Sequence, residues 1–188
     1  MKKSIFFSLI LIFLFTISSQ SQSSALIKIS NAGHTVYHVD VGIVNSERVV
    51  FSASYDGYVA CHNYEGEIIW SAYPGEGFPF DLESADIDLD GNEEALVASS
   101  DGNLYVLDDD GQLMWTFHRE APLYQVEAFV DGTDVTILTG GIQRILYSLD
   151  PSGNIKKQLN VNGVVRQIGF GEVSGNGQSQ AVVTTTRS

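Results

Sequence analysis

Residues Asp101 to Trp115, DGNLYVLDDDGQLMW, repeat a pattern already present in Asp56 to Trp70, DGYVACHNYEGEIIW, at an offset of 45 residues. A weaker third copy carries Tyr147, Leu149, Asp150 and Gly153, about 42 residues after Tyr105, Leu107, Asp108 and Gly111. A period of this length restricts the chain to a repeat architecture, in which each unit buries its apolar face only against its neighbours. Trp70 and Trp115 each stand four residues after a glycine, Gly66 and Gly111, so the tryptophans belong to the repeat and are not two unrelated core residues; each is expected on the outermost strand of its unit, packed against the neighbouring unit.

Within a unit the pattern is that of strands. Asn103-Leu104-Tyr105-Val106-Leu107-Asp108 alternates, β-branched and aromatic residues lie between Gly, Asp and Asn clusters, and no stretch after the N-terminus sustains a helical period. The second unit reads as four strands near Phe80–Asp86, Glu94–Ser99, Asn103–Asp108 and Gln112–Phe117. Asp101-Gly102 and Asp110-Gly111 form hairpin turns, where glycine accepts positive φ. The expected fold is all-β, a β-propeller of four-stranded blades near 34–78, 79–122 and 123–162, with a partial blade at 163–188. About three and a half blades do not close a ring, because propellers use typically four to eight. The expectation is therefore a fragment, completed by further blades or by another chain.

Residues 1–23 read as a signal peptide. Lys2 and Lys3 precede an apolar run of 13 residues, Ile5 to Ile17, followed by small polar residues. The run is short of the ~20 residues of a spanning helix, so no membrane span is expected after cleavage. Cys61 is the single cysteine, which rules out an internal disulfide. Export without disulfides points to a secreted or periplasmic bacterial protein. Without Lys2 and Lys3 the chain carries 8 basic against 23 acidic residues, and no Lys or Arg lies between Arg48 and Arg119, where 15 acidic residues fall. Nucleic acid is excluded as a partner, since nothing there neutralises phosphates, and a cation is favoured.

The sharpest local pattern is Asp86-Ile87-Asp88-Leu89-Asp90-Gly91-Asn92-Glu93-Glu94. Hard cations such as Ca²⁺ take 6–8 oxygen ligands at about 2.3–2.6 Å. Asp86, Asp88 and Asp90 supply side-chain oxygens in this reading, Asn92 its backbone carbonyl, and Glu94 closes the site. Gly91 permits the reversal, and Ile87 and Leu89 are expected to anchor the loop on the core. An EF-hand closes at its twelfth position between helices; here the closing carboxylate is at the ninth, between strands. An acidic surface turn is the alternative. In the fourth unit Glu172, Ser174, Asn176, Gln178 and Gln180 occupy the matching positions with one charge among them, so weak or no binding is expected there.

The run Asp101 to Asp108 with Gly111 and Trp115 resembles the repeat of quinoprotein-like (PQQ-like) β-propellers, and the Asp86–Glu94 loop resembles the calcium loop of FG-GAP and VCBS-type propeller repeats. The resemblance covers roughly residues 36–188 and speaks to architecture. Quinoprotein enzymes hold their quinone with aromatic groups and often a vicinal cysteine pair. With one cysteine, the resemblance implies the shape and not the cofactor, and PQQ is not expected. His34 and His38 lie about 13 Å apart along a strand, too far for one metal. His62 and His118 stand alone, Gly140-Gly141 lacks the helix of a phosphate loop, and no Ser-His-Asp set can be placed, so no catalytic residue is assigned. Two function classes lead. One is a non-catalytic binding or scaffold module presenting its loops to a protein or glycan. The other is the N-terminal part of a propeller enzyme, a polysaccharide lyase or quinone-dependent dehydrogenase, with catalytic residues outside this chain. A third, a periplasmic assembly factor built on the same repeats, would need no calcium, so the Asp86–Glu94 loop weighs against it.

Overall fold

A computed structural model describes residues 33–186; the expected signal peptide lies outside the described residues. Every regular element among them is a strand, and the fold is all-β, as the repeat implies. The first sheet contains β1 (Val36–Val44), β2 (Glu47–Ser54), β3 (Val59–His62) and β4 (Ile68–Ala72), and the second β5 (Pro79–Ala85), β6 (Glu94–Ser99), β7 (Asn103–Leu107) and β8 (Leu113–His118). The third has β9 (Leu123–Asp131), β10 (Asp134–Gly141), β11 (Ile145–Leu149) and β12 (Ile155–Asn160), and the last pairs β13 (Val164–Gly171) with β14 (Gln180–Thr186). All pairings are antiparallel between sequential strands. Three four-stranded blades and one half-blade leave the ring open.

Connections sort by end. First-to-second and third-to-fourth turns lie at one end of each blade, here the turn end. Second-to-third turns and the passages to the next blade lie at the other, the crossover end. The third-to-fourth turn shows how local sequence sets the repeat. Asn63, Asp108 and Asp150 each accept two backbone N–H groups with one side-chain oxygen, from Glu65 and Glu67, Asp110 and Gln112, and Ser152 and Asn154. These side-chain bonds stabilise the tight turn without a ladder partner.

Blades stack through apolar faces. Phe51, Ala53, Val59 and Cys61 of the first meet Leu82, Val97, Tyr105 and Leu107 of the second. Ile87, Leu96, Leu104 and Phe117 of the second meet Val126, Ile137, Tyr147 and Leu149 of the third. Burial pushes the Cys61 thiol up to about 12, so it stays protonated core material. Each tryptophan bridges to the next blade in the same way. Trp70 Nε1 donates to the Asp109 carbonyl at 2.6 Å and its ring covers Gly111; Trp115 Nε1 donates to the Pro151 carbonyl at 2.9 Å and its ring covers Gly153.

The innermost strands β1, β5, β9 and β13 adjoin in series around the axis. Carboxylates stitch them together: Asp40 Oδ2 accepts from the Ser84 backbone N–H at 2.8 Å, and Asp81 Oδ2 from the Val126 N–H at 3.0 Å. Glu83 lies among these groups. Burial first, then the charges of Glu127, Asp40, Asp81 and Glu93, push its carboxyl up to about 8. The protonated form therefore belongs to the fold, and its contribution is full below the ordinary value of 4.5 and lost as pH rises through about 8. Melting temperature measured in EDTA is expected to fall from pH 5 to pH 8.5, with a shallower fall in Glu83→Gln. Parallel curves for the two proteins would place the titration elsewhere.

Candidate metal centre

The Asp-rich loop joins β5 to β6 at the turn end. Its shape comes from its own side chains. Asp86 Oδ1 accepts from the Asp90 N–H at 3.1 Å and Oδ2 from the Gly91 N–H at 3.0 Å. Asp88 Oδ1 shares the Asp90 N–H at 3.2 Å, and Asp90 Oδ1 accepts from the Asn92 N–H at 2.8 Å. Leu89 and Gly91 take positive φ, 67° and 97°, which reverses the chain. Two backbone anchors tie the loop to the first blade: the Glu93 N–H donates to the Ile43 carbonyl at 2.8 Å, and Asn92 Oδ1 accepts from the Asn45 N–H at 2.7 Å.

One oxygen each from Asp86, Asp88 and Glu94 lie within 4.8 Å of one another. Asp90 stands outside this trio with its side chain capping the turn, and the Asn92 side chain is engaged with Asn45. Ile87 is buried in the core, as expected. Leu89 is not: it is 41 % exposed, because the left-handed backbone at that position turns its side chain to solvent. The alternation expected for two anchors fails where the chain reverses.

Glu94 is the unusual member. It is 2 % exposed, and among the described residues the one hydrogen bond that its carboxylate accepts comes from the Ile87 N–H at 2.8 Å. Burial pushes it up to about 8; the Ile87 N–H opposes this, and the charges of Asp88, Asp86 and Asp90 add to it. A buried carboxylate beside three others is costly without a cation. An all-oxygen, acidic donor set suits a hard divalent ion such as Ca²⁺.

The fourth unit repeats this loop with a different closing residue. The Asn176 N–H donates to Glu172 Oε1, the Gln178 N–H to Asn176 Oδ1 and the Val173 N–H to Gln180 Oε1, matching bonds made by Asp90, Asn92 and Ile87 in the second unit. Gln180 Nε2 then points into the loop, donating to Ser174 Oγ at 3.1 Å, Asn176 Oδ1 at 3.4 Å and the Gln178 carbonyl at 2.5 Å. These oxygens correspond to the side chains of Asp88 and Asp90 and to the Asn92 carbonyl. An amide nitrogen occupies the centre of this loop, in which Glu172 is the one carboxylate among the matching positions; the acidic loop has no such donor.

The histidines are engaged elsewhere. His34 pairs with Asp56 and stacks on Tyr58, and His38 Nδ1 lies 3.7 Å from Asp81. His62 is buried against Ser52 Oγ at 2.8 Å, with burial lowering its pKa, and His118 Nδ1 lies 2.8 Å from Asn103 Oδ1. Sequence reasoning passed over a second feature, an open groove of about 640 Å³ at the crossover end between the second and third blades, lined by His118, Arg119, Glu120, Gln143, Ile145 and Tyr147. Its one sequence cue was the return of basic residues at Arg119.

The family model of the lambda-carrageenase β-propeller domain matches residues 49–184. A lambda-carrageenase of Pseudoalteromonas sp. is 28 % identical over 151 residues, covering 80 % of this chain and 16 % of that protein. The lambda-carrageenase of Pseudoalteromonas carrageenovora is 30 % identical over 138 residues, covering 73 % of this chain and 15 % of that protein. The chain thus spans less than a fifth of the length of these relatives. Among solved structures, BBS1N in complex with ARL6DN superposes with a TM-score of 0.66 at 16 % identity, over 84 % of this chain and 51 % of that one. The computationally designed Ika4 protein gives 0.62 at 12 % identity, over 85 % and 97 %. The WD40 β-propeller domain of Doa1 gives 0.60 at 17 % identity, over 80 % and 47 %. These structural likenesses concern the fold alone.

Proposed function

Since the chain belongs to the lambda-carrageenase β-propeller domain family, we propose that it is the non-catalytic propeller part of a longer, exported enzyme that cleaves lambda-carrageenan. The observation that carries this reading is the family match over residues 49–184, joined to coverage of less than a fifth of two lambda-carrageenases. It supports the alternative of a propeller enzyme in its coarser form, an enzyme that cleaves a polysaccharide, and not the lyase or the quinone-dependent dehydrogenase; the scaffold role of the propeller is part of the proposal. Several polar contacts fit a scaffold: Asp40 joins the first two blades through Ser84, and His34, His62 and His118 serve local contacts. Export is part of the same reading, from the charged start and apolar run before residue 23, since a polysaccharide of this size is met outside the cell.

Calcium at the Asp86–Glu94 loop is the second half of the proposal, in a loop of the FG-GAP type. Two observations support it: the converging oxygens of Asp86, Asp88 and buried Glu94, and the amide nitrogen of Gln180 at the centre of the equivalent loop. A bound cation there stiffens the junction of the first two blades, because Asn92 and Glu93 hold the first blade's turn. The catalytic question is settled by assay of reducing ends released from lambda-carrageenan. The full-length polypeptide carrying this domain is expected to release them and residues 33–186 alone to release none. Inactivity of the full-length polypeptide, or activity of the propeller alone, would sink the reading.

A further inference from the structure

We infer that the groove between the second and third blades is a binding site for a sulfated sugar, with Arg119 as its anion anchor. This rests on the carrageenase reading for the choice of ligand and on the groove's own chemistry for its class. Arg119 follows β8, and its guanidinium lies over the Phe117 ring at 4.2 Å and the Tyr147 ring at 4.6 Å. The two rings meet edge to face at 5.3 Å, so the cation rests on a rigid aromatic corner. Among the described residues the guanidinium has no hydrogen-bond or ion-pair partner, and its Nε is buried without one. An arginine held in place and left uncommitted is set up to receive an oxyanion through its planar donors.

The preceding junction, built from the same repeat, shows what has been changed. There Tyr105 takes the place of Tyr147, and its hydroxyl donates to the Asp101 carboxylate at 2.6 Å. At the second junction the Tyr147 hydroxyl instead faces Gln143 Oε1 at 3.1 Å, a neutral amide at the position equivalent to Asp101. At the first junction Gly75 lies so close to Tyr105 that a Cβ would come within 1.9 Å of the hydroxyl oxygen, which fills the space. At the second, the chain carries Arg119 and Glu120 past the junction and the groove stays open. One carboxylate has been exchanged for an amide, one guanidinium added and a cavity opened, three changes that favour an anion, while Glu120, at the place of Gly75, adds one carboxylate to the wall.

The groove also speaks to the rest of the ligand. Glu120 is exposed on its wall, with no ion pair to Arg119, and accepts hydroxyl donors while repelling a second anion nearby. Gln143 offers an amide N–H₂. A sulfate ester on a ring that also carries free hydroxyls satisfies all three groups; a bare inorganic anion satisfies one. The next junction places another guanidinium on a ring at the same end, Arg166 over Tyr124 at 5.3 Å, in line with a polymer that carries sulfates repeatedly. No Lys or Arg lies between Arg48 and Arg119, so the first junction offers no comparable anchor.

The test is calorimetric titration of the protein with a short lambda-carrageenan oligosaccharide, its chemically desulfated counterpart and sodium sulfate. The sulfated oligosaccharide is expected to bind, and the other two at least about tenfold more weakly. Arg119→Ala and Gln143→Glu, the latter restoring the carboxylate of the first junction, are each expected to weaken that binding about tenfold, with Arg119→Lys between them and wild type. Gln143→Glu lies on an exposed turn and guards against loss by misfolding; Lys156→Ala at the outer edge is expected to bind as wild type. Equal binding of both oligosaccharides, no binding of either, or wild-type binding in Arg119→Ala and Gln143→Glu would overturn the inference. Cleavage of lambda-carrageenan by a full-length enzyme whose propeller binds independently of Arg119 leaves the carrageenase reading standing and removes only this site. Arg119-dependent binding of a different sulfated galactan, with no cleavage of lambda-carrageenan, does the reverse.

Discussion

Calcium at a thousandfold excess over its dissociation constant is expected to raise the melting temperature of the EDTA-treated protein by roughly 10 °C. Mass action on the folded state supplies about 4 kcal/mol at that excess, and a chain of this size gains about 2–4 °C per kcal/mol. Asp88→Ala is expected to abolish the rise while leaving the metal-free protein nearly unchanged. Asp88 is exposed, and the N–H it accepts, that of Asp90, is also held by Asp86. Glu94→Gln carries the more informative sign. It keeps the acceptor for the Ile87 N–H, as Gln180 does for Val173, and removes a carboxyl held up to about 8 by burial. Glu94 is protonated in the fold below that value, so the metal-free wild type loses this contribution as pH rises through about 8, and the variant does not. At pH 8.5 in EDTA, Glu94→Gln is expected to melt above wild type, yet to gain nothing from calcium. For the same reason the calcium increment in wild type grows from pH 6 to pH 8.5, as the ion displaces the Glu94 proton. A melting curve unchanged across millimolar Ca²⁺, or a full increment in Asp88→Ala, would refute the site.

Much of this was legible in the sequence because repeats announce themselves through constrained positions. The strands of the second unit fall within a residue of their expected bounds, since Asp-Gly and the Asp108 turn punctuate them. The acidic loop was legible from the spacing of Asp86, Asp88, Asp90 and Glu94. Its interior was less so: alternation predicts an inward Leu89, but a residue at φ 67° no longer follows strand alternation. Contacts between units were legible only at Trp70 and Trp115, which lie on the outermost strands and pack against the neighbouring blade. That Asp40 and Asp81 cap the N–H groups of Ser84 and Val126 depends on how one blade rotates against the next, which no single-unit pattern encodes. The Arg119 groove was hidden for the same reason: it joins the passage after β8 to a turn 24 residues on, and Arg119 in isolation is one more surface charge. The repeat period also suits several propeller families, so the carrageenase kinship came from residue identity over residues 49–184 and not from periodicity.

The tryptophan bridges carry the second large effect. Gly111 and Gly153 have φ of 80° and 81°, and a Cβ on either would come within 2.7 or 2.8 Å of the tryptophan ring of the preceding blade. Gly111→Ala therefore meets two separate penalties, a left-handed backbone worth about 1–2 kcal/mol and a steric conflict with Trp70 worth about 1–3 kcal/mol. Gly132 separates them. It also has positive φ, 59°, but nothing lies within 4 Å of its missing Cβ, so Gly132→Ala is expected to cost only the backbone part. Trp70→Ala should cost about 3–5 kcal/mol through the lost ring packing and the lost bond to the Asp109 carbonyl. Combined with Gly111→Ala it should cost less than the sum, because the ring that the new methyl strikes is gone. The positive-φ cost remains in the double variant, so the coupling measures the interblade contact alone. Chemical denaturation of the four proteins gives it directly, and the same cycle at Trp115 and Gly153 should return a similar value if the blades stack as true repeats. Additive losses at both junctions would mean that the tryptophans do not brace one sheet against the next.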